Sequence, residues 1–405
     1  MSSLQNKLLA RRLWRTKLRL IAVTFMVSVG VFAGLTFGGY SHNLDGMYET
    51  IHRDDTTGAN LADLWIDNRS TTWSAEEVTE FCDELVSTWN NDEFGMDSCE
   101  GRNIVPGAMF YNDNNDERII NSLWHGISPD ANSNRIWMPD GHSDGRLAVT
   151  ADEIVIDAHV IEPLDLGIGD IITIGAGAAS AEFTIVGYGY HPVHIFMAPE
   201  GSLFPPEAGE YVVGYLSELG MARLTGNQVG ASNTILLDID GTPSFDLPDT
   251  TEFEGGEIEL VKSMVDESLS ASQLDARVRD RGQIEQVEIM RQDLEGAKRM
   301  ATPFTIMIAA IASITIILSL QRLVQSQAKE IAALRTLGVK RKSLLTGYLL
   351  APIIIGSVGC LIGCLIGPTG MNAMLDFYQD IVGMPLVNRE IPFSLYSAVV
   401  IPTMV

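Results

Sequence analysis

Residues 21–40 read IAVTFMVSVGVFAGLTFGGY, twenty positions without a charge, directly after Arg11, Arg12, Arg15, Lys17 and Arg19. A helix needs about 20 apolar residues to cross a bilayer, so this stretch predicts a membrane span and decides the class of fold. A cleaved signal peptide is the competing reading. The apolar run is longer than a usual signal core and no clear small-x-small cleavage site follows it, which favours an uncleaved anchor. The basic flank places the N-terminus in the cytoplasm and residue 41 onward outside.

The distribution of charge supports that reading. The 405 residues carry a formal net charge of −25, but residues 1–40 hold 6 basic and no acidic side chains, residues 41–297 hold 12 basic against 48 acidic, and residues 298–405 hold 9 basic against 4 acidic. One large acidic compartment outside a membrane with small basic edges inside explains the segregation. Direct nucleic-acid binding is excluded as a working idea, because phosphate contacts need a basic surface.

Two further charge-free runs follow, MATPFTIMIAAIASITIILSLQ at 300–321 and SLLTGYLLAPIIIGSVGCLIGCLIGP at 343–368. Between them stand Arg322, Lys329, Arg335, Lys340, Arg341 and Lys342 against the single acid Glu330. That excess predicts a cytoplasmic loop, as two crossings after an outside domain require. Lys298 and Arg299 at the outer end of the second span run against the rule, but the larger cluster dominates. The last run, from 391 to 405, is too short to cross comfortably and reads as the start of a truncated fourth span.

The expected layout is therefore a basic cytoplasmic elbow (1–19), a first span (20–40), an acidic outside domain of mixed α+β character (41–263), a helical stalk (264–299), a second span (300–321), a cytoplasmic segment (322–342), a third span (343–368), an outer loop (369–390) and the start of a fourth span (391–405). The fold class is an α-helical transmembrane bundle with a large mixed α+β extracytoplasmic domain inserted between the first and second spans.

Inside that domain, SAEEVTEFCDELVSTWNND opens with Ser74 three residues before Glu77, a capping-box spacing, and places Val78, Phe81, Leu85 and Val86 on one helical face. From 146 to about 215, LAVT, EIVID, DIITIG and AEFTIVGYGY are short β-branched or alternating runs separated by Gly and Asp, which predict a β-rich subdomain. The stretch 264–299 returns to helical composition, with Ile284, Val287, Met290 and Leu294 at near-heptad spacing. It reads as one stalk running into the second span, its apolar stripe facing a partner helix or the first span; a helix ending near Gly296 is the alternative.

Cys82 and Cys99 are the only cysteines outside, where an oxidising face permits a disulfide between them. Cys360 and Cys364 lie one helical turn apart in the third span beside Gly359 and Gly363, a small-residue pattern that predicts close helix packing. His191 and His194 form an H-x-x-H, but Pro192 opposes a helical metal site and no H-E-x-x-H occurs, so no metal is expected. The acid-rich runs 111–117 and 238–246 do not fit the calcium-loop pattern and read as solvated loops. No G-x-x-x-x-G-K-[ST] loop or G-x-S-x-G elbow is present, so the chain is not expected to be an enzyme or to bind ATP by that route.

The stretch QSQAKEIAALRTLGVKRKSLLTGYLL, residues 325–350, resembles the coupling segment of FtsX/MacB-type ABC transporter permeases, the FtsX-like permease family. Lys329, Glu330, Ile331, Leu334, Arg335, Leu337, Gly338 and Val339 fill its R/K-E-I-x-x-L-R-x-L/I-G-A/V pattern. The strand region GRLAVTADEIVIDAHVIEPLDLGIGDIITI followed by AEFTIVGYGY looks like the family's outside-domain pattern, whereas 41–140 resembles nothing recognisable. Independently of the family, a short helix with Ile331, Leu334 and Leu337 on one side can dock into a groove on a soluble partner.

The resemblance implies a multi-pass plasma-membrane permease subunit that works with a cytosolic ABC ATPase subunit and a second permease copy or homologous half, among membrane lipid. It implies no cofactor in this chain, with ATP and Mg in the partner subunit. The implied function couples that ATPase to motion of the outside domain and so moves lipid, lipoprotein, peptide or drug cargo. The alternative is a membrane-anchored regulator that signals to a cell-wall enzyme or senses peptides without moving cargo.

Overall fold

The computed structural model describes residues 17–53, 57–89, 95–113, 116–202, 204–242, 252–253, 256–272, 275–326, 328, 332, 336, 341–383 and 389–404. The chain divides into a helical unit, Met1–Asp45 with Leu294–Tyr378 and Asn388–Val405, and an inserted unit, Gly46–Asp293 with Gln379–Val387. Among the described residues four long or apolar helices dominate the first: α1 (Lys17–His52), most of the helix Glu285–Ser326, the helix Arg341–Val382 and the helix Phe393–Met404. The inserted unit is a mixed α/β domain.

Within the inserted unit, β1 (Leu64–Asn68), the helix α2 (Ala75–Trp89) and the 18-residue strand β2 (Met96–Asp113) come first. The α2 capping box forms: the Ser74 amide donates to Glu77 Oε2 at 2.7 Å and the Glu77 amide to Ser74 Oγ at 3.2 Å. Those bonds favour the ionised carboxylate and lower the Glu77 pKa. Val78, Phe81, Cys82, Leu85 and Trp89 form the buried face, whereas Val86 is exposed.

Next come β3 (Asp116–Gly126), the two-residue β4 (Asp144–Gly145), β5 (Glu153–Asp157), β6 (Ile171–Ala176), β7 (Ala179–Gly189) and β8 (Tyr211–Leu216). They are followed by α3 (Glu218–Thr225), β9 (Thr234–Ile239), a small pair β10 (Glu252–Phe253) and β11 (Gly256–Glu257), α4 (Ile258–Ala271) and β12 (Ala276–Asp280). The sheet order β12-β1-β9-β2 carries α2 and α4 on a core of Leu64, Ile66, Phe81, Leu85, Ile235, Leu237, Val261 and Val265.

The outer half of β2 turns away from β9 and begins a second structure. There β2 pairs with β3, β3 with β8, β8 with β5, β5 with β7, β7 with β6, and β6 again with β2 at Ala108–Phe110, closing six strands on themselves. Closure removes the free edges that an open sheet would leave. The expected β-rich subdomain at 146–215 supplies only four of these strands. The β2–β3 hairpin supplies the others, so part of the acidic run 111–117 is paired strand instead of loop.

Trp124 fills the centre of this barrel, fully buried, its Nε1 donating to the Gly175 carbonyl at 3.0 Å. Gly107 allows it: a Cβ there would stand 2.2 Å from Trp124 Nε1 and 2.1 Å from the Gly175 oxygen. No larger residue fits against that indole.

Cys82 of α2 and Cys99 of β2 form a disulfide, with Cα atoms 5.6 Å apart and a sequence separation of 17. It ties the helix to the strand beneath it. Replacing both by serine is expected to cost about 3 kcal/mol, the loop-closure value for roughly 15 residues. A denaturant midpoint for the inserted unit unchanged within error would contradict this.

The expected stalk 264–299 is not one helix. It contains the end of α4, the strand β12, a 3-10 turn at Arg281–Gln283 and the start of α5 (Glu285–Ser326), which runs unbroken through Gly296 and Pro303. Ala276–Asp280 becomes a strand because it pairs with Asn68–Leu64 of β1, and the Asp280 carboxylate then caps the following turn by accepting from the Gln283 amide at 3.1 Å. The apolar stripe does exist: Ile284, Val287, Met290 and Leu294 are all buried, and the Tyr48 hydroxyl of α1 donates to Met290 Sδ at 3.0 Å.

In the helical unit, the helix Arg341–Val382 is α6 and Phe393–Met404 is α7. α6 continues well into the expected outer loop, and α1 extends past the expected end of the first span. Cβ atoms built on Gly359, Gly363 and Gly367 would lie 2.6–2.8 Å from Val27, Val31 and Leu35, so glycine at every fourth residue lets the two backbones approach. Because 27, 31 and 35 match 359, 363 and 367 in ascending order, α1 and α6 run parallel. Cys360 is buried in that contact with Val27, Val31, Leu35 and Val399.

Asn43 secures the turn before α7, its amide donating to the Glu390 carbonyl at 2.7 Å and its Oδ1 accepting from the Glu390 amide at 2.9 Å. Lys298 pairs with Asp45 at 2.6 Å and Arg299 with Glu295, which neutralises the two cations that opposed the charge rule.

Candidate functional site

The expected coupling residues Lys329, Glu330, Ile331, Leu334, Arg335, Leu337, Gly338 and Val339 all lie outside the described residues. On either side, α5 ends at Ser326 and α6 begins at Arg341. The chemistry visible in the structure is concentrated in two clefts of the inserted unit.

The first is a cavity of about 540 Å³ between the barrel and the β1–β9 sheet, lined by Trp65, Arg102, His125, His191, His194 and Arg279 among others. His125 is delivered by the end of β3, opposite Ile104 of β2. His191 and His194 flank Pro192 in a 3-10 turn after β7, where His191 Nδ1 accepts from the Val193 amide at 3.3 Å. The three rings form a near-equilateral triangle with centroids 4.8–5.1 Å apart, and His125 Nε2 lies 2.8 Å from His194 Nε2. His191 stacks on Tyr215 at 5.4 Å.

Burial lowers the pKa of all three, to about 4 at His194 and well below the usual imidazole range at His125 and His191, with mutual repulsion and Arg102 adding at the latter two. They are neutral at pH 7. Bases that weak are poorly matched to general-base work at that pH. Arg102 is committed to Glu100 and to the Ser133 carbonyl, both at 2.7 Å. Among the described residues no group of three or more His, Cys, Asp or Glu side chains is arranged to hold a metal ion. The cavity has the size of a small-molecule pocket, its walls combining three neutral imidazoles with the charged Arg102, Arg279 and Glu200.

The second cleft, about 530 Å³, lies where residues 379–383 meet the barrel, lined by His159, Glu162, Tyr190, Phe196 and Glu207. Asp157, at the end of β5 and fully buried, accepts from the Tyr215 hydroxyl and contacts His159 Nδ1, each at 2.5 Å. His159 Nε2 meets the Val382 carbonyl at 2.9 Å.

Sequence reading singled out His191 and His194 but not His125, Asp157 or His159. His125 stands in an unremarkable strand 66 residues from His191, and only barrel closure joins them. Asp157 and His159 lie within the quoted strand pattern, with no spacing signal of their own.

Residues 303–405 match the model of the FtsX-like permease C-terminal family. Over that segment the chain is similar to FtsX-like permeases. The matched segment contains the whole stretch 325–350, α6 and α7. Among solved structures, the periplasmic region of MacB from Actinobacillus actinomycetemcomitans aligns at 12% identity, covering 58% of this chain and 92% of that one with a TM-score of 0.32. The extracellular domain of the ABC-type transporter YknZ from Gram-positive bacteria aligns at 12% identity over 46% and 91%, with a TM-score of 0.25. No curated protein sequence matches the chain.

Two described helices of the chain are long and apolar enough to cross a membrane, Ile21–His52 and Ile353–Val382. Outward-facing Ile353, Ile354, Leu361 and Leu365 of α6 and Ile311, Ile314 and Ile317 of α5 suit hydrocarbon or partner helices.

Proposed function

We propose that the chain is the permease subunit of an ABC transporter, coupling ATP hydrolysis by a separate cytosolic subunit to motion of the inserted domain. The observation that carries this is the family match over 303–405, which includes the motif from Lys329 to Val339. Parallel α1 and α6 support the order of crossings, since a first and a third span must run the same way. The Cys82–Cys99 disulfide supports an oxidising, extracytoplasmic side for the inserted domain, with the N-terminus in the cytoplasm.

In this reading Ile331, Leu334 and Leu337 form the ridge that enters a groove on the ATPase. The cargo is a lipid, lipoprotein, peptide or drug, handled by the inserted domain, since 300–321 and 343–368 offer almost no ionisable residue to line a polar channel. A second copy or a homologous permease half completes the assembly.

Purification of the full chain in mild detergent is expected to bring down a cytosolic ATPase whose turnover changes on reconstitution. The Leu334→Glu/Leu337→Glu variant should lose that association by at least about tenfold, since burying two carboxylates in an apolar groove is strongly unfavourable. Undiminished association would remove the docking role from this ridge, and absence of any ATPase from the unaltered chain would remove the transporter reading itself.

A further inference from the structure

The cavity lined by His125, His191 and His194 holds buried N–H groups that nothing in the domain accepts. His191 Nδ1 accepts from the Val193 amide, so the proton of the neutral ring sits on Nε2, and that N–H meets no acceptor among the described residues. Asn134 is fixed in the same way: its Oδ1 accepts from the Ala62 amide at 3.0 Å, and its Nδ2 amine meets no acceptor among the described residues. Arg102 spends its Nη atoms on Glu100 and on the Ser133 and Gly101 carbonyls, and its Nε–H is left without a partner. All three residues are more than nine-tenths buried and line the same cavity. We propose that this cavity is a binding site for a small organic carboxylate, its oxygens accepting from the N–H groups of His191 and Asn134 beside the charge of Arg102, and its apolar body lying against Ile104, Leu123 and Val193.

The donors are clustered. Arg102 donates to the carbonyl of Ser133, the residue before Asn134, and its positive charge lowers the pKa of both His125 and His191, so it is felt at both rings. A carboxylate placed there gains from that charge, whereas an ammonium loses by it. Stacking on Tyr215 fixes the plane of His191. A buried donor without an acceptor costs stability, so a cavity that gathers several of them calls for oxygens from outside the chain, supplied by water or by a ligand.

Acceptors in the lining are fewer. Gln286 spends its Nε2 on the Ala198 carbonyl and offers Oε1. His125 and His194 meet Nε2 to Nε2 at 2.8 Å, so whichever ring donates, the pair contributes one Nδ1–H and one bare Nδ1. Arg279 adds a second cation. Glu200 is the one acid of the lining; its side chain is 78% exposed and lies 3.6 Å from Arg279, so it stands at the solvent end and the buried end is the cationic one. The acidic surface elsewhere on the domain opposes an anion only at long range, where salt screens it.

At about 540 Å³ the cavity accommodates a two-ring body with its headgroup. Every residue of its lining belongs to the inserted unit, so occupancy is a property of that domain and holds whether or not an ATPase drives the chain.

The test titrates three probes of one shape, naphthoate, naphthamide and naphthylmethylammonium, up to about 1 mM into the full chain in lipid nanodiscs with 15N-labelled histidine, with empty nanodiscs as the control for uptake by lipid. Naphthoate is expected to shift the His191 Nε2 resonance saturably and to leave His142, which lines neither cleft, unmoved. Naphthamide should bind about tenfold more weakly, because charge-assisted hydrogen bonds are roughly twice as strong as neutral ones, and the ammonium more weakly again. His191→Phe, which keeps a ring against Tyr215, should weaken naphthoate by about tenfold when read at His125 and His194. Val193→Trp, which fills the cavity from its half-buried wall, should abolish binding. No saturable shift with any probe leaves water as the content of the cavity and overturns the proposal, as does an amide or an ammonium that binds as tightly as the carboxylate; these comparisons are made on the unaltered chain.

Discussion

Arg281→Met is expected to destabilise the inserted domain by about 3–5 kcal/mol, the range for removing one partner of a buried ion pair. Arg281 is 3% exposed and Asp63 fully buried, with Nη2 2.9 Å from Asp63 Oδ1. The guanidinium also donates to the Leu61 carbonyl at 2.5 Å and the Ala62 carbonyl at 2.9 Å, so methionine would leave three acceptors unmet in the seam between β1 and α5. Burial already pushes the Asp63 pKa up while Arg281 holds it down. Without the arginine the carboxyl must take a proton or unfold its surroundings. Tryptophan fluorescence against denaturant measures the loss, and Arg281→Met/Asp63→Asn should recover part of it. A loss under about 1 kcal/mol would show that the pair contributes little.

Acid is the second lever. His125, His191 and His194 have folded pKa values below the unfolded value near 6.5, so the unfolded chain takes up protons first as pH falls. Their stabilisation is complete above about pH 6.5 and is lost progressively down to about pH 4, where His194 titrates when folded. Asp63 and Asp238 act with the opposite sign. Burial raises both, Asp238 to about 7, so the folded state binds their protons first and gains stability over the same range.

His52, which burial likewise lowers to about 4, adds a fourth imidazole, and four against two carboxylates leave a net uptake approaching two protons on unfolding, about 2.7 kcal/mol per pH unit. Roughly 4 kcal/mol should disappear between pH 6 and 4 in high salt, where surface repulsion is screened. Asp238→Asn removes one opposing carboxylate and should steepen the slope toward three protons. A stability that is flat or rising toward pH 4 would contradict the assignment of the histidines as buried and neutral.

What could be read in advance depended on the range of the interaction. The α2 capping box needs only Ser74 and Glu77 three residues apart, and it formed as its spacing predicts. The stripe Ile284, Val287, Met290 and Leu294 was visible because helical period places those residues on one face without outside help. By contrast, Ala276–Asp280 carries three charges in five residues and looks helical between two helices. Its strand state comes from β1, more than 200 residues earlier in the chain.

The sequence by itself determined what depends on composition and local periodicity: the apolar segments, the acidic inserted domain, and the cysteine pair that an oxidising side could join. Solvent preference and helical period act along the chain, so one dimension suffices for them. Only the tertiary structure decided the barrel, because β6 closes onto β2 through pairings of residues about 65 positions apart. The same closure gathers His125 with His191 and His194, and docking of residues 379–383 sets Val382 against His159. Those juxtapositions arise from long-range hydrogen bonding and packing, for which no local spacing leaves a trace.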